Sequence, residues 1–230
     1  MEELDYVKRN YLSLVSEVGS IANALGTPVP KIVAVTKSGT DEELAALVRA
    51  GASAIGENRP SELVRRGALL SELGLAPELH QIGTLQSNKA RLVVPYAACV
   101  HSLASLSLAK ELSRRCEAQG RVMPVLIEIN SASEPQKDGV PPEQAERFFE
   151  SVADFSGIKV VGLMTMGPAV ASPEEIRPYY RITKKLFDSL SDKYGFGEAP
   201  VLSMGMSDSY RVAIEEGSTL IRVGRRLFIK

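Results

Sequence analysis

Lys31-Ile32-Val33-Ala34-Val35-Thr36-Lys37-Ser38-Gly39-Thr40 is the stretch on which the fold turns. The run from Ile32 to Thr36 is apolar and rich in β-branched residues, and Ser38-Gly39-Thr40 closes it with turn chemistry. It reads as a buried strand with one amine, Lys37, at its carboxyl end. An ammonium is costly to bury, so a lysine there is expected to be held partly neutral, the form that condenses with an aldehyde. A lysine at a strand end can equally well reach into water, and only the rest of the chain discriminates between the two.

Outward from this stretch, short apolar runs alternate with helical patterns. Strands are predicted over 31–36, 53–56, 79–83, 98–101, 123–129, 159–164, 201–203 and 220–223. Helices are predicted between them over 42–50, 60–73, 87–94, 105–119, 142–155, 173–194 and 207–216. A further amphipathic stretch, 4–25, precedes the first strand, with Leu4, Val7, Tyr11, Leu14, Val18 and Ile21 at helical spacing. Strict βα alternation implies a parallel sheet with right-handed crossovers. Eight units favour a single (β/α)8 TIM-type barrel with an extra N-terminal helix, spanning 1–230 as one domain. The second and fourth strands and the third crossover helix are short, so an open doubly wound sheet stays as the alternative. No G-x-G-x-x-G follows any strand, which argues against a dinucleotide fingerprint.

Composition narrows the function classes. The 230 residues are 44% apolar and 24% charged with net charge −1, an ordinary globular balance. It offers no electrostatic case for nucleic acid or an anionic membrane. The acidic start, Met1-Glu2-Glu3-Leu4-Asp5, lacks the basic and apolar regions of a signal peptide. No apolar run approaches membrane-spanning length. Cys99 and Cys116 match no metal or redox spacing, so no metal is expected and both thiols are expected reduced in a cytoplasmic protein.

In a barrel of this kind the chemistry collects at the carboxyl ends of the strands. Lys37 follows the first strand, Gly56-Glu57-Asn58 the second, and His80 lies in the third. Glu128-Ile129-Asn130 ends the fifth, Ser203-Met204-Gly205-Met206-Ser207 the seventh, and Arg222-Val223-Gly224 the eighth. Ser207 reads as the N-cap of the last helix, and Gly205 and Gly224 permit close backbone approach, a pattern that suits phosphate. Arg222 sits in an apolar strand end and needs a partner. That partner is either a carboxylate such as Glu128 or the ring nitrogen of a cofactor. His80 reads as a packed histidine that shapes the barrel.

Taken in order, Ala34-Val35-Thr36-Lys37, Gly56-Glu57-Asn58, His80-Gln81-Ile82-Gly83 with Leu85-Gln86-Ser87-Asn88-Lys89, Lys137-Asp138-Gly139, Ser203-Met204-Gly205-Met206-Ser207-Asp208 and Arg222-Val223-Gly224 closely resemble the pyridoxal-phosphate homeostasis protein family. That family is built on the barrel found at the N-terminus of alanine racemases. The resemblance implies that Lys37 carries pyridoxal 5′-phosphate as a Schiff base, and that Ser203, Ser207 and Gly224 surround the phosphate. It implies Asn58 and Met204 beside the cofactor, Arg222 on the pyridine nitrogen and Lys137 near the entrance. Arg225 stands where the family often has Ser or Thr, and is read as a cation replacing a phosphate hydroxyl.

An arginine at the pyridine nitrogen leaves the ring a weak electron sink, whereas broad amino-acid chemistry usually uses a carboxylate there. The racemases also take a second base from an additional domain, which no segment of this chain supplies. The expectation is therefore a monomeric carrier that holds the cofactor and delivers it to pyridoxal-phosphate-dependent client enzymes, without catalytic residues. A racemase-type amino-acid enzyme is the alternative. A barrel acting on a phosphorylated metabolite through Lys37 is the third reading.

Overall fold

The computed structural model describes residues 4–134, 136–169 and 172–230. The acidic start at Met1 to Glu3, and Pro135 within the Lys137 loop, lie outside them.

Eight parallel strands close on themselves in chain order. They are β1 (Lys31–Val35), β2 (Ala54–Glu57), β3 (Glu78–Gln81), β4 (Cys99–Leu103), β5 (Met123–Glu128), β6 (Ile158–Met164), β7 (Val201–Ser203) and β8 (Leu220–Val223). Closure is made by β1 on β8, with Lys31 opposite Leu220 and Val33 opposite Arg222. The open sheet is thereby excluded. Both short strands exist, although β2 runs one residue beyond its predicted end and β3 begins one residue earlier than predicted.

Alternation along each strand sorts side chains into two layers. Val33, Val35, Ala54, Ile82 and Leu220 pack together inside the barrel. Ala34, Ile55, Val100, Ile127, Leu163 and Ile221 join the larger core between strands and helices. The same parity puts His80, Cys99, His101, Ser203 and Arg222 in the lumen, a polar stack within an apolar tube.

The helices are α1 (Asp5–Leu25), α2 (Asp41–Arg49), α3 (Pro60–Glu72), α4 (Ala90–Val93), α5 (Leu106–Glu117), α6 (Ala145–Val152), α7 (Arg177–Tyr194) and α8 (Tyr210–Glu215). Among the described residues, a short 3-10 turn, Arg225–Phe228, follows β8. α1 fills the place an eighth crossover helix would take, lying against α2, α8 and that turn. Val7, Leu14, Val18 and Ala22 form its fully buried stripe, and Asn10 ties it to the Ile229 carbonyl at 2.8 Å.

Two of the differences between the predicted and observed helices bear on the site. The 87–94 segment is a 3-10 turn, Ser87–Lys89, running into the single turn of α4. The 207–216 segment begins only at Tyr210, with Ser209 at the N-cap. Ser209 accepts from the Met206 amide at 3.1 Å and shares a hydrogen bond with the Tyr180 hydroxyl at 2.8 Å. Those contacts hold 207–209 as a turn, so Ser207 is not a helix cap.

Candidate functional site

The site begins with how β1 hands over to α2. Thr40 caps α2 through a reciprocal capping box with Glu43, which fixes the far end of the Lys37-Ser38-Gly39 loop. Arg66, on α3, fixes the near end from beneath. Its guanidinium donates to the carbonyls of Thr36 and Gly39, the latter at 2.8 Å, and pairs with Glu57 at 2.7 Å. The Thr36 hydroxyl donates to the same Glu57 carboxylate. Arg66 and Glu57 are almost fully buried. Lys37 therefore stands on a loop gripped on both sides. Its side chain is exposed, so the burial expected at this strand end is not what the structure provides.

Lys37 opens onto a cavity of about 820 Å³ at the carboxyl ends of the strands, a size suited to a small-molecule ligand. Asn58, Ser207, Arg222, Gly224 and Arg225 line it as well. The Ser207 hydroxyl accepts from the Gly224 amide at 3.3 Å, which leaves its own proton free to donate. Arg225 pairs with Asp208 on the exposed rim. Lys137 lies beyond the lining, bonded to Glu134 at 2.8 Å and to the Gly167 carbonyl at 3.3 Å. Next to it, Asp138 accepts from Thr84, a lining residue, at 2.7 Å.

Three expected contributions differ. Met204 is wholly buried in the core between strands and helices, because it follows Ser203 and parity turns it away from the lumen. Ser203 does face the lumen but lies below the cavity: its Oγ accepts from Arg222 at 2.6 Å and sits 3.2 Å from His101 Nδ1. Neither residue lines the cavity. The glycines serve packing more than ligand approach. A Cβ on Gly205 would fall 2.5 Å from Ala213 Cβ, inside α8, and one on Gly224 would fall 2.9 Å from the Val35 carbonyl oxygen. Gly224 still lines the cavity, whereas Gly205 does not. Since α8 is only six residues long and begins at Tyr210, anion binding here rests on side chains and loop amides.

Arg222 is the most enclosed cation of the site. It donates to the carbonyls of Ser203 and Thr165 at 3.0 and 3.1 Å and to Ser203 Oγ. Among the described residues no carboxylate pairs with it, so the salt bridge to Glu128 is not formed. Burial works against its charge, while Glu128 and Tyr180 act across space to support it.

Below Arg222 a hydrogen-bonded chain runs through the lumen: His101 Nε2 lies 2.8 Å from His80 Nδ1, and His80 Nε2 lies 3.2 Å from Glu78, which accepts from Lys31 at 2.6 Å. The ends assign the protons, since a guanidinium only donates and a carboxylate only accepts. The Ser203 hydroxyl donates to His101 Nδ1, His101 Nε2–H to His80 Nδ1, and His80 Nε2–H to Glu78. Desolvation holds both imidazoles below their ordinary range, His101 well below, so both are neutral. Glu78, hydrogen-bonded by His80 and Lys31, is held down to about 2.

Glu128 is the site residue that sequence reasoning treated only as a possible partner. It lines the cavity, and burial pushes its carboxyl up to about 7, with Arg222 opposing and Asp138 reinforcing the shift. The signal was available: it is a carboxylate ending an otherwise apolar strand, the same argument that singled out Lys37. The Arg66–Glu57 clamp carried no such signal, because neither spacing nor composition links a helix arginine to a strand-end glutamate.

Comparison with known proteins bears on the fold and the family. The family model described as "Alanine racemase, N-terminal domain" matches residues 12–229. The pyridoxal phosphate homeostasis protein of Aquifex aeolicus (strain VF5) is 38% identical over 203 residues, 88% of each chain. PipY of Synechococcus elongatus PCC7942, solved with PLP bound, superposes with a TM-score of 0.84 at 27% identity, covering 97% of this chain and all of that one. The alanine racemase of Corynebacterium glutamicum shares the fold at a TM-score of 0.76 and 20% identity, with 61% of its chain covered. A near-complete match to relatives of the same length, on a barrel whose lysine loop and last two strand ends meet at one cavity, places this chain in the pyridoxal phosphate homeostasis protein family.

Proposed function

We propose that this chain holds pyridoxal 5′-phosphate at the cavity, as a Schiff base on Lys37, and makes it available to enzymes that require it. The convergence of Lys37, Arg222, Ser207 and Arg225 on one cavity carries the reading. The donor set suits the ligand: an exposed amine for an aldehyde, a buried guanidinium for a ring nitrogen, and a hydroxyl and second guanidinium for a phosphate. When bound, the cofactor supplies an aldehyde that condenses with an amine, releasing water, and a ring that withdraws electrons. The protein's part is to orient and retain. Arg66 and Glu57 hold the lysine loop, Ser203 and Thr165 hold Arg222, and Asn58 and Gly224 shape the wall. Ser203 supports Arg222 in this reading, and Met204 stays in the core.

The purified protein is expected to carry a yellow chromophore that borohydride fixes to Lys37. Peptide mapping is the check, and an adduct found chiefly on Lys89 or Lys137 would show that the wrong amine was chosen. Pyridoxal lacking the phosphate is expected to bind at least tenfold more weakly, as a charge-assisted hydrogen bond of about 1.5–3 kcal/mol implies. Equal affinity in a competition titration would remove Ser207 and Arg225 from the assignment.

One observation favours a racemase-type enzyme instead. Glu128 lines the cavity with its carboxyl pushed up to about 7, a value suited to a general base near neutral pH. Solvent deuterium exchange at Cα across a panel of amino acids separates the readings. Exchange of the order of 1–10³ per second is enzyme turnover and would displace the carrier reading; the expected result is far slower exchange.

A further inference from the structure

We propose that His80, Cys99 and His101 form a binding site for one soft d¹⁰ metal ion, zinc(II) or copper(I), inside the barrel and separate from the cavity above it. Their ligand atoms all lie within 4.8 Å of one another, and all three residues are buried. Parity and register bring them together. Cys99 and His101 are two residues apart on β4 and face the lumen, and His80 on β3 is the register partner of Cys99. Sequence spacing hides such a site because the ligands come from two strands.

The surroundings have the features of a ligating shell. Metal-bound histidines almost always give their other ring nitrogen to a carboxylate, hydroxyl or carbonyl, which fixes the tautomer and aims the free nitrogen. His80 donates Nε2–H to Glu78, leaving Nδ1 as an acceptor, and His101 turns Nδ1 to Ser203 Oγ, so that a shift of its proton to Nδ1 frees Nε2. These two nitrogens lie 2.8 Å apart, joined by the His101 Nε2–H hydrogen bond, and the ligand atoms of the two histidines and Cys99 all lie within 4.8 Å of one another. Donors around one zinc ion lie roughly 3–4 Å from each other, given bonds of about 2.0–2.3 Å. Entry of an ion therefore needs only a small separation of the rings.

The balance of the step is simple. The ion takes the place of the proton between the rings. His101 shifts its proton to Nδ1 and donates it to Ser203 Oγ, whose own hydrogen turns away. His80 keeps Nε2–H on Glu78. The Cys99 thiol gives its proton to solvent and binds as thiolate. Two imidazoles and a thiolate favour a soft ion over magnesium or calcium, and Met164, in the same apolar cluster as Cys99, adds a polarizable wall. Glu78 and Lys31 lie at the partly exposed end of the chain, where Cys99 keeps 8% of its surface.

The test uses the full-length protein after chelator treatment, titrated with zinc(II) by calorimetry and with copper(I) against a chromophoric chelator, with cobalt(II) as a spectroscopic substitute. One ion per chain is expected, with a thiolate-to-cobalt charge-transfer band in the near ultraviolet. Cys99→Ser is expected to remove that band and weaken binding at least 100-fold, and Glu78→Gln, outside the ligand set, to weaken it about 10–100-fold. Lys37→Ala is expected to change neither, which separates this site from the cavity. Copper(I) bound in place of zinc(II), with the same dependence on Cys99, supports the site and assigns the softer ion. Failure of both ions to bind stoichiometrically overturns the proposal. So does an ion whose affinity and spectrum survive Cys99→Ser.

Discussion

Arg66→Met is expected to destabilise the protein by about 3–5 kcal/mol, because it leaves Glu57 as an uncompensated carboxylate in the core. Arg66 and Glu57 keep only 6% and 2% of their side-chain surface, 2.7 Å apart. At this chain length each kcal/mol moves the melting midpoint by about 2–4 °C, so a loss of order 10 °C is expected. The substitution also frees the Thr36 and Gly39 carbonyls on either side of Lys37, so cofactor retention should weaken beyond what the lost stability explains. The double variant Glu57→Gln, Arg66→Met removes both charges and should recover much of the stability while the loop stays loose. Chemical denaturation and a retention assay on the three variants measure the two effects separately. A cost for Arg66→Met below about 1 kcal/mol would mean that the pair does not clamp the loop.

Glu128→Gln is expected to act in the opposite direction, and only at high pH. The Glu128 carboxyl is raised in the folded chain from 4.5 to about 7, chiefly by burial. The folded state therefore binds its proton more tightly than the unfolded state does. The stability that goes with that proton is fully present below about pH 4.5 and is lost as pH rises through 7. The shift corresponds to roughly 3 kcal/mol. At pH 8 the glutamine variant should be more stable by that order, while near pH 4 the two proteins should converge. Arg222 favours the charged carboxylate and Asp138 disfavours it, so Asp138→Asn should move the transition to lower pH. A stability difference between Glu and Gln that is flat from pH 4 to 8 would show that Glu128 does not titrate in this range.

These two residues mark where one-dimensional reading stops. Strand–helix alternation named the barrel, because a strand's apolar run and a helix's spacing are local properties of the chain. Strand-end position likewise brought Lys37, Asn58, Ser207, Arg222 and Gly224 to attention, since a parallel barrel carries all its carboxyl ends to one face, and the family resemblance added Arg225. Those six residues do line one cavity. The quoted motifs added the family and, through it, the cofactor reading.

Other features depend on which way a side chain turns and on what crosses from a distant element. Parity separates Ser203 from Met204: one reaches Arg222 and the other packs under the helices. A turn fixed by Ser209 and Tyr180 delays α8 to Tyr210 and takes the cap from Ser207. Exposure of Lys37 and enclosure of Glu128 reverse the expectation that the lysine would be the desolvated group, because Lys37 stands on the loop beyond β1 while Glu128 lies within the end of β5. The His80–Cys99–His101 cluster is likewise a product of register between β3 and β4. Local periodicity specified the elements of this protein. Burial, parity and register, which exist only once the barrel closes, decided which of its polar groups meet.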